Sequence, residues 1–583
     1  MDLHLTADRP TPEERAAVDR ELDDNIQPPR HKLLPVLHAV QARIGHISPG
    51  AINHVAARMD IAPAEIFGVA SFYGLFSLAP QPRVVAHVCN DIVCLTHGAA
   101  TVCKEIEKTD WPPGVAWKLS PCLGLCERAP AALITSAGGT PLERTLAPAT
   151  AEAVRAATEF EKNEAKPWNA AASVPQAGQP QLRLLHRIGK ADPESLEDYR
   201  SLGGFQALKK AVELGPEDVI REVIASRLLG RGGAAFPTGK KWEAVLKRWR
   251  PGATHYVVCN ADESEPGTFK DRVIMEGDPF AVIEGITIAA FATHSSYGYV
   301  YIRGEYPLAA ARMQRAIELS RAEGLLGKSF DIEIRRGAGA YICGEETALF
   351  NSIEGYRGEP RNKPPFPAEA GLFRRPTVVN NVETLINVPL IILEGGAAYA
   401  RIGTEQSAGY RLFCLCGHIA RPGVYEIPFG VTLGEMIQLA GGVGGNGRLQ
   451  AVLLGGAAGT FVSPSELETP LTFEGTRAVG ATLGSGVIMP IDDSVDLKQI
   501  LLRIASFFRE ESCGQCVPCR AGVVRQEEAL ERLIHNQPLG STAEEIRTLR
   551  EMGQAMRDAS ICGLGQTASS AIESALNRWS LFS

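Results

Sequence analysis

The sequence predicts a multidomain protein of the mixed α/β class. Apolar residues recur at helical spacing between Leu33 and Phe76, helical and strand patterns alternate over 182–400, and the chain after Val495 has a mostly helical pattern. With 583 residues the chain is long enough for roughly three to five domains. We expect an arm at 1–30, domains at 31–155, 185–405, 406–492 and 493–583, and a linker at 156–184.

Charge and hydropathy exclude several classes of protein. The formal net charge of −8 argues against a nucleic-acid binder. The first residues are acidic rather than basic, and no uncharged apolar run reaches the length of a membrane span. We therefore expect a cytoplasmic protein without direct membrane insertion. In that compartment, thirteen cysteines favour metal or redox use over disulfides.

Four cysteines lie at the ends of predicted strands after the first helical region. Cys89 and Cys94 form a C-x4-C pair, and Cys122 and Cys126 form a C-x3-C pair. Two pairs of thiolates suit the two tetrahedral irons of a [2Fe–2S] cluster. Zinc is the alternative, although zinc sites more often use C-x2-C pairs. A Rieske centre is rejected because His97, which follows Cys94 at C-x2-H, has no matching C-x-H.

A second set of cysteines lies near the C-terminus. Cys513, Cys516 and Cys519 form C-x2-C-x2-C, and Cys562 follows at a distance. A compact triplet can hold three corners of a [4Fe–4S] cube while the fourth ligand comes from elsewhere. Four-cysteine zinc sites would more often show two separate C-x2-C pairs. The other five cysteines receive no role, because free cysteines are usually small buried apolar residues.

A glycine-rich loop at 230–242 is a candidate phosphate site. Glycines let the backbone approach a bulky anion, and backbone N–H groups with lysine supply positive potential. The loop fails as a Walker motif, because Gly233 and Gly239 are one residue too far apart and Lys241 replaces Ser or Thr. By itself it could be an ordinary turn. Four further polar, glycine- or proline-rich loops of the same region favour a ligand site; they are 260–272, 337–347, 363–367 and 376–384.

Two parts of the chain resemble two families of proteins found in respiratory complex I. Cys89–Cys94 and Cys122–Pro130 resemble the 24 kDa family, which implies a helical bundle and a thioredoxin-like [2Fe–2S] domain over about residues 30–155. From about residue 185 onward, the five loops and the second cysteine set resemble the 51 kDa flavoprotein family. This second resemblance implies a Rossmann-like FMN and NAD(H) domain, a ubiquitin-like β-grasp domain and a C-terminal helical [4Fe–4S] domain.

The resemblance also implies roles for individual residues. Those expected to bind FMN are Gly230, Arg231, Gly232, Lys241, Asn260, Asp262, Gly344, Asn380 and Asn381, and Glu263 is a further residue expected to bind a cofactor. Those expected on the NAD(H) side are Phe236, Glu265, Glu345, Glu346, Lys363 and Phe366, with Tyr341 beside the flavin ring. The candidate catalytic residues are Glu265, Tyr341 and Glu346. Ala235 replaces a glycine that is usual in the family, which would strain the loop if its φ is positive.

The fusion of both parts in one chain narrows the function. It resembles the diaphorase subunit of cytosolic NAD-reducing [NiFe] hydrogenases and the β subunit of NAD-dependent formate dehydrogenases. These implied cofactors would link hydride exchange with NAD(H) to single-electron transfer. The implied partners are a ferredoxin-like iron–sulfur subunit and a hydrogenase or formate dehydrogenase catalytic subunit. The alternatives are a peripheral NADH dehydrogenase subunit of a complex I-like enzyme, or a scaffold without cofactors, which the eight grouped cysteines disfavour.

Overall fold

The computed structural model describes residues 8–22, 28–159 and 168–582. Four helices form its first folded region. Ser48 begins the third of them, where its side chain accepts a hydrogen bond from the backbone N–H of Ala51 and Pro49 occupies the first turn. The four helices are α1 (Pro12–Leu22), α2 (Leu33–Ile44), α3 (Pro49–Met59) and α4 (Pro63–Ala70).

The expectation of a loosely held arm at 1–30 is wrong for residues 12–22. These residues form α1, whose Val18 and Leu22 are buried in contact with the rest of the core. Glu14 in this helix accepts a hydrogen bond from Ser48 Oγ at 2.5 Å. The polar composition that suggested an arm belongs to the outer face of an amphipathic helix. The remainder of the proposed arm at 1–7 and 23–27 lies outside the described residues.

The next region contains a four-stranded sheet with strand order β2-β1-β3-β4. Strands β1 and β2 are parallel, whereas β3 is antiparallel to both of its neighbours, β1 and β4. The elements are β1 (Val84–Cys89), α5 (Ile92–Thr96), α6 (Ala99–Glu107), β2 (Val115–Ser120), β3 (Ala132–Ser136), β4 (Leu142–Leu146) and α7 (Ala151–Ala157).

The described part of the expected linker is packed against other regions. Trp168 Nε1 donates to Ser173 Oγ at 3.1 Å, and Gln176 Nε2 donates to the carbonyl of Glu426 at 3.3 Å. The Glu426 carboxylate accepts backbone N–H groups of Arg183 and Leu184 at 2.7 and 2.9 Å. The described part of the linker expected at 156–184 is therefore a connection held in place by hydrogen bonds to its surroundings. Residues 160–167 lie outside the described part of the chain.

A parallel four-stranded sheet with order β7-β6-β5-β8 forms the centre of the molecule. Helices α11, α13, α14 and α17 pack against its strands. The elements are α8 (Leu196–Ser201), α9 (Gln206–Leu214), α10 (Pro216–Ala225), α11 (Thr238–Leu246), β5 (Tyr256–Ala261), α12 (Lys270–Gly277), α13 (Pro279–Thr293), β6 (Tyr297–Ile302), α14 (Pro307–Ala322), β7 (Asp331–Arg336), α15 (Glu346–Ile353), α16 (Pro367–Ala370), β8 (Thr377–Asn381), α17 (Val382–Glu394) and α18 (Gly396–Tyr399).

A five-stranded sheet and a helical region complete the chain. The sheet has order β10-β9-β13-β11-β12 and a core of its own around Phe413, Met436 and Val452. In this part the elements are β9 (Tyr410–Leu415), β10 (Gly423–Pro428), α19 (Leu433–Leu439), β11 (Leu449–Leu454), β12 (Thr460–Val462), α20 (Phe473–Ala478) and β13 (Val487–Asp492). The helices that follow are α21 (Leu497–Glu511), α22 (Val517–Ile534), α23 (Thr542–Ala559), α24 (Gly563–Thr567) and α25 (Ser570–Arg578). Within the described residues, no helix has both the length and the apolar character needed to span a bilayer.

Candidate functional site

A cavity of about 650 Å³ lies at the carboxyl end of the parallel sheet. The loops that follow β5 and β7 line it, as do the end of β8, the start of α17 and the glycine-rich loop before α11. Two other regions complete its wall: Gly455 and Ser485 come from the five-stranded sheet, and Gly563 and Leu564 come from the start of α24. Open α/β sheets usually bind ligands at the loops beyond the carboxyl ends of their strands. The loops that the sequence motifs predict as a ligand site lie at this end of the sheet.

The glycine-rich loop is a narrow turn closed by its own backbone. The N–H of Gly230 donates to the Phe236 carbonyl at 2.9 Å, and the chain then enters α11. A Cβ added at Gly232 would lie 3.0 Å from Cβ of Asn381, so glycine lets the loop lie against the end of β8. Ala235 has φ +52°, a left-handed conformation that a residue with a Cβ rarely adopts, so the condition for strain at this position is met.

Asparagine side chains connect the loops around the cavity. Asn260 Nδ2 donates to the Gly344 carbonyl at 2.8 Å, which joins the loop after β5 to the loop after β7. Asn380 Oδ1 accepts the indole N–H of Trp242 at 2.8 Å. Asn381 Nδ2 donates to Asp271 Oδ2 at 2.6 Å. The asparagines thus fix the shape of the cavity as well as lining it.

Two lysines and two glutamates form one charged group on the cavity wall. Lys363 Nζ lies 2.9 Å from Glu345 Oε1 and 2.8 Å from Glu346 Oε1, and Lys241 Nζ lies 3.4 Å from Glu346 Oε2. Burial favours the neutral acid of Glu346, but the charges of Lys241 and Lys363 outweigh it and lower the pKa. The other Glu345 oxygen accepts the N–H groups of Thr347 and Ala348, so this side chain also caps α15.

Glu265 and Tyr341 form a hydrogen-bonded pair in the cavity. The Tyr341 hydroxyl donates to Glu265 Oε2 at 2.6 Å, and the backbone N–H of Ala458 donates to Glu265 Oε1 at 2.7 Å. Burial raises the pKa of Glu265 to about 7, although both hydrogen bonds act in the opposite direction. The Tyr341 N–H donates to Glu511 Oε2 at 2.8 Å, which joins the cavity to the end of α21.

The polar lining suits a ligand that has many hydrogen-bonding groups, and FMN is such a ligand. Oδ2 of Asp262 is buried and has no hydrogen-bond partner among the described residues, although it belongs to a cavity-lining side chain. Burial raises the pKa of Asp262 well above its usual value, which favours the protonated acid. This unpaired carboxyl oxygen can form a hydrogen bond with a hydroxyl group of the ribityl chain. The close-packed glycine loop and Lys241 suit the flavin phosphate.

Two of the expected cofactor residues do not line the cavity. The Arg231 guanidinium is fully buried elsewhere, where Nη2 donates to the carbonyl of Ala408 at 2.8 Å and the group covers the Phe429 ring. Only its backbone belongs to the loop. Phe366 is 55% exposed and lies outside the lining residues. The structure thus does not bring either side chain into the cavity, and the cofactor roles expected of them stay predictions.

Glu263 lines the cavity but already has structural partners. Its carboxylate accepts the backbone N–H groups of Asp271 and Arg272 at 2.9 Å each, at the start of α12. Burial, followed by the charge of Asp271, raises the pKa of Glu263 to about 8. Sequence reasoning gave no role to the neighbouring Lys270, which lines the cavity and lies 3.0 Å from Glu383 Oε2. The signal for Lys270 was its position inside the polar 260–272 loop.

The four N-terminal cysteines lie together and are almost fully buried, with exposures of 1–4%. Sγ of Cys122 and Sγ of Cys126 are 3.5 Å apart, and the Cys94 thiol contacts that of Cys89. Asp91 joins the two pairs, since its carboxylate accepts the N–H of Ile92 at 2.8 Å and of Cys122 at 3.1 Å. This four-thiol donor set fits a [2Fe–2S] cluster.

Side chains from the parallel-sheet region hold the loop between Cys122 and Cys126. Arg303 Nη2 donates to the Cys122 carbonyl at 2.5 Å, and Arg272 Nε donates to the Gly124 carbonyl at 2.9 Å. Nη1 of the same Arg303 side chain donates to the Glu263 carbonyl at 2.8 Å. The cavity wall and the cysteine loop therefore share one buried guanidinium. The sequence signal for it, a charged loop directly after β6, was not used.

The C-terminal cysteines also converge, but at the surface. Cys513, Cys516 and Cys562 are partly exposed, whereas Cys519 is 5% exposed. Burial, with a smaller contribution from neighbouring Cys516 and Cys562, raises the pKa of Cys519 to about 12. Within the described ranges, no three ligating side chains converge as closely as a single metal ion requires. A cluster asks for wider spacing, because irons and sulfides stand between the thiolates.

The fold and these sites define a flavin- and iron–sulfur-containing oxidoreductase subunit. Family profiles match consecutive parts of the chain: a thioredoxin-like [2Fe–2S] ferredoxin at 20–155, the Nuo51 FMN-binding domain at 223–390, an SLBB domain at 412–458 and the NADH-ubiquinone oxidoreductase-F iron–sulfur binding region at 499–581. The chain belongs to the family of NADH-oxidising flavin and iron–sulfur diaphorase subunits. Its cofactors are FMN, NAD, a [2Fe–2S] cluster and a [4Fe–4S] cluster.

Individual relatives agree with this assignment. The chain is 36% identical over 571 residues to the NAD-reducing hydrogenase HoxS subunit alpha of Cupriavidus necator, covering 94% of this chain and 91% of that protein. It is 45% identical over 404 residues to the NADH-quinone oxidoreductase F subunit of Aquifex aeolicus, covering 68% of this chain and 92% of that protein. A crystal structure of an NAD+-reducing [NiFe]-hydrogenase in the H2-reduced state superposes with TM-score 0.80 at 31% identity, covering 94% of this chain and 91% of that one.

Proposed function

We propose that this chain exchanges electrons between NAD(H) and the catalytic subunit of a multi-subunit NAD-linked hydrogenase or formate dehydrogenase. One observation carries the proposal: apart from Arg231, the residues expected to hold FMN line the same cavity as Gly563 and Leu564 at the start of α24. Gly563 directly follows Cys562. Two-electron and one-electron chemistry would thus meet at one place. Full-length similarity to the HoxS alpha subunit favours the hydrogenase assignment, and formate dehydrogenase stays a prediction from the sequence.

Bound FMN supplies the conversion between a hydride and single electrons. We assign its phosphate and ribityl chain to Gly230, Gly232 and Lys241, and the remainder of its pocket to Asn260, Asp262, Gly344, Asn380 and Asn381. The asparagines and the glycine loop are held by hydrogen bonds to neighbouring elements, so the protein loses little conformational entropy when the cofactor binds. Lys270 and Asp271 would support this pocket from behind Asn381.

The nucleotide would occupy the side of the cavity that carries the lysine–glutamate group. Lys363 would meet its diphosphate, and Glu346 and Glu345 would accept ribose hydroxyls. Carboxylates at this position would repel a 2′-phosphate and so favour NAD over NADP. The half-exposed Phe236 ring, beside Lys241, is the better candidate to contact adenine, since Phe366 lies outside the lining. Glu265 and Tyr341 would position the reacting rings and exclude water.

The eight grouped cysteines would hold the two clusters. Cys89, Cys94, Cys122 and Cys126 would hold [2Fe–2S], and Cys513, Cys516, Cys519 and Cys562 would hold [4Fe–4S]. We further assign the parallel-sheet region at 185–405 to a Rossmann-like domain, 406–492 to a β-grasp domain and 493–583 to a helical [4Fe–4S] domain. The N-terminal domain of 31–155 would combine a helical bundle with the thioredoxin-like sheet.

The partly exposed C-terminal cysteines mark the expected exit for electrons. Val517 is 62% exposed and Ile561 is 38% exposed, and each is adjacent in sequence to a cluster cysteine. Exposed apolar side chains beside a redox group suit contact with a ferredoxin-like subunit. Replacing Val517 by Asp should weaken that association without changing NADH-dependent dye reduction. Isolating the native complex and testing NAD reduction by H2 and by formate would identify the catalytic partner.

The cavity assignment is tested with two adjacent lysines. Lys241 lines the cavity, whereas the neighbouring Lys240 is exposed and lies outside it. We expect Lys241→Ala to lose FMN, measured as flavin released per polypeptide on denaturation, and to lose NADH-dependent ferricyanide reduction in proportion. Lys240→Ala should keep both. Full flavin content and activity in Lys241→Ala would remove this loop from the site.

A further inference from the structure

A second cavity, of about 590 Å³, lies apart from the flavin and nucleotide residues, between three regions of the chain. One wall is the face of the four-stranded sheet that carries His87, Lys118 and Thr135. The other walls are α2, through His38, and the end of β7, through Arg336. We call it the junction cavity. No residue assigned above to FMN, NAD or either cluster lines it.

Basic side chains exceed acidic ones around the junction cavity. The basic residues are Lys32, Arg83, Lys118, Arg335 and Arg336, and the acidic residues are Glu21, Glu143 and Glu333. Arg336 Nη1 is paired with Glu143 Oε2 at 2.9 Å, and Arg335 Nη1 with Glu333 Oε1 at 2.5 Å. Among the described residues, Lys118 has no carboxylate partner.

Lys118 is an unfavourable feature in the absence of a ligand. Burial alone lowers its pKa, because the ammonium loses solvation without gaining a counter-charge. His87 lies next to it across the β1–β2 pair, and burial with the charge of Lys118 lowers the pKa of His87 to about 3. The half-buried Lys118 ammonium thus faces a neutral imidazole and a hydroxyl, neither of which supplies the negative charge that would compensate for its lost solvation.

The opposite walls also carry hydrogen-bond donors without acceptors. Nε of Arg336 and both Nε and Nη2 of Arg335 are buried and have no hydrogen-bond partner in the described part of the chain. The Arg335 side chain is only 6% exposed. A buried N–H group without a partner costs free energy, and charged groups cost more. Unsatisfied donors of this kind therefore occur on both sides of the junction cavity.

We propose that the junction cavity binds a small organic anion with two or more acidic oxygens, supplied by phosphate or carboxylate groups. Such a ligand would give acceptors to Lys118 and to the guanidinium groups at once. The cavity volume is within the range of small-molecule sites. Val85, Leu133, Pro141 and Leu142 offer apolar contact for the ligand's carbon atoms. Binding would join the helical region, the four-stranded sheet and β7, and so stabilise their arrangement.

The test is calorimetric titration of the full-length, cofactor-loaded protein with pyrophosphate and, separately, with citrate. Saturating NAD+ blocks binding of the anion at the nucleotide cavity. Constant ionic strength keeps the screening of non-specific charge interactions the same throughout the titration. We expect one site in the unmodified protein, and affinity weakened by about tenfold or more in Lys118→Gln, since a charge-assisted hydrogen bond is lost. Lys104→Gln is the matched control, because Lys104 is exposed on α6 of the same region and does not line the cavity.

A second measurement separates binding from folding. Without added anion, Lys118→Gln should unfold at the same or a higher temperature than the unmodified protein, because a half-buried charge without a carboxylate partner among the described residues is removed. The anion that binds should raise the unfolding temperature of the unmodified protein and of Lys104→Gln but not of Lys118→Gln. Response to pyrophosphate alone identifies a phosphate ligand, and response to citrate alone a carboxylate ligand. If neither pyrophosphate nor citrate gives a response that depends on Lys118, the proposal is overturned. The unpaired N–H groups of the junction cavity would then be hydrogen-bonded to water.

Discussion

At the scale of single residues, Glu265 shows how burial changes the chemistry of a carboxylate. Its pKa is raised to about 7 by burial, while Tyr341 and Ala458 supply hydrogen bonds that compensate in part. Because the folded-state pKa exceeds that of the unfolded chain, its stabilising contribution is complete below about pH 4.5 and is lost as the pH rises through 7.

Replacing Glu265 by Gln should therefore have a pH-dependent effect on stability. Glutamine keeps an acceptor for Ala458 and cannot ionise. We expect the unfolding temperature of Glu265→Gln, relative to that of the unmodified protein, to increase between pH 5 and pH 8. Thermal unfolding followed by circular dichroism at several pH values measures this difference. A difference that stays constant over that range would contradict a raised pKa at Glu265.

Ala235 allows a second residue-scale prediction. Its φ of +52° costs a residue with a Cβ about 1 kcal/mol relative to glycine. We expect Ala235→Gly to raise the free energy of unfolding by up to about 1 kcal/mol, measured by urea titration. Ala234→Gly is the matched control, because Ala234 is in the same loop without a positive φ and should be destabilised. Equal effects of the two substitutions would show that backbone strain is not the cause.

Residue motifs identified most of the cavity, and the failures have a physical reason. Gly232, Lys241, Asn260 and Tyr341 were expected from local patterns and lie together in the structure. The Arg231 side chain instead turns to Ala408, a contact between residues far apart in the chain that no local pattern encodes. The chemical roles of the residues that do line the cavity stay predictions, which the substitutions at Lys241 and Glu265 test.

At the scale of elements, the loop between Cys122 and Cys126 depends on a glycine. Gly124 has φ +65°, and an added Cβ would overlap the hydroxyl of Tyr306 on the parallel-sheet region. Tyr306 is itself 2% exposed and hydrogen-bonded to Glu263 at 3.2 Å, so it has little room to move. The loop therefore needs glycine for both its conformation and its close contact.

Gly124→Ala should displace this loop and reduce the [2Fe–2S] content while leaving the [4Fe–4S] content unchanged. Electron paramagnetic resonance of the reduced protein, together with iron analysis, distinguishes the two clusters. Gly114→Ala is the control for backbone strain, because Gly114 has φ +85° in the same region but nothing within 4 Å of an added Cβ. If both variants lose the cluster equally, the contact with Tyr306 is not responsible.

Strands and helices of the parallel-sheet region lie close to the positions that the sequence pattern predicts, and the end of α10 is an exception. The alternating pattern at 182–400 predicts a strand at 331–334, which lies within β7, and a helix at 307–322, which is α14 without change. The same pattern predicts a helix at 217–229, but α10 ends earlier, because Arg227 has φ +56° where the chain turns toward the glycine loop. The arm at 1–30 was misread because α1 is short and mostly polar, so only its packing partners reveal its buried face.

At the scale of the whole molecule, buried ion pairs connect the regions. Arg272 contacts Glu127 Oε1 at 2.5 Å across the boundary between the cysteine loop and α12, and Glu276 Oε2 at 2.9 Å within its own helix. All three side chains are 6% exposed or less. Removing one partner from such a group leaves uncompensated charge inside the protein.

We therefore expect Arg272→Met to destabilise the protein by about 3–5 kcal/mol. The surface pair of Arg200 and Glu323, with 44% and 50% side-chain exposure, provides the comparison. Arg200→Met should cost at most about 1 kcal/mol. Urea unfolding of both variants measures the difference. Similar losses would mean that the interface carries less of the stability than its burial implies.

The unequal exposure of the two cysteine sets has a consequence for how the protein matures. Once the regions have docked, Arg272, Arg303 and Tyr306 enclose the N-terminal thiols, and a carrier protein delivering iron and sulfide has no access to them. Three of the four C-terminal cysteines, Cys513, Cys516 and Cys562, stay partly exposed to the solvent after folding. We expect the first cluster to be inserted before the halves of the chain close on each other, and only the second to be replaceable in the finished protein.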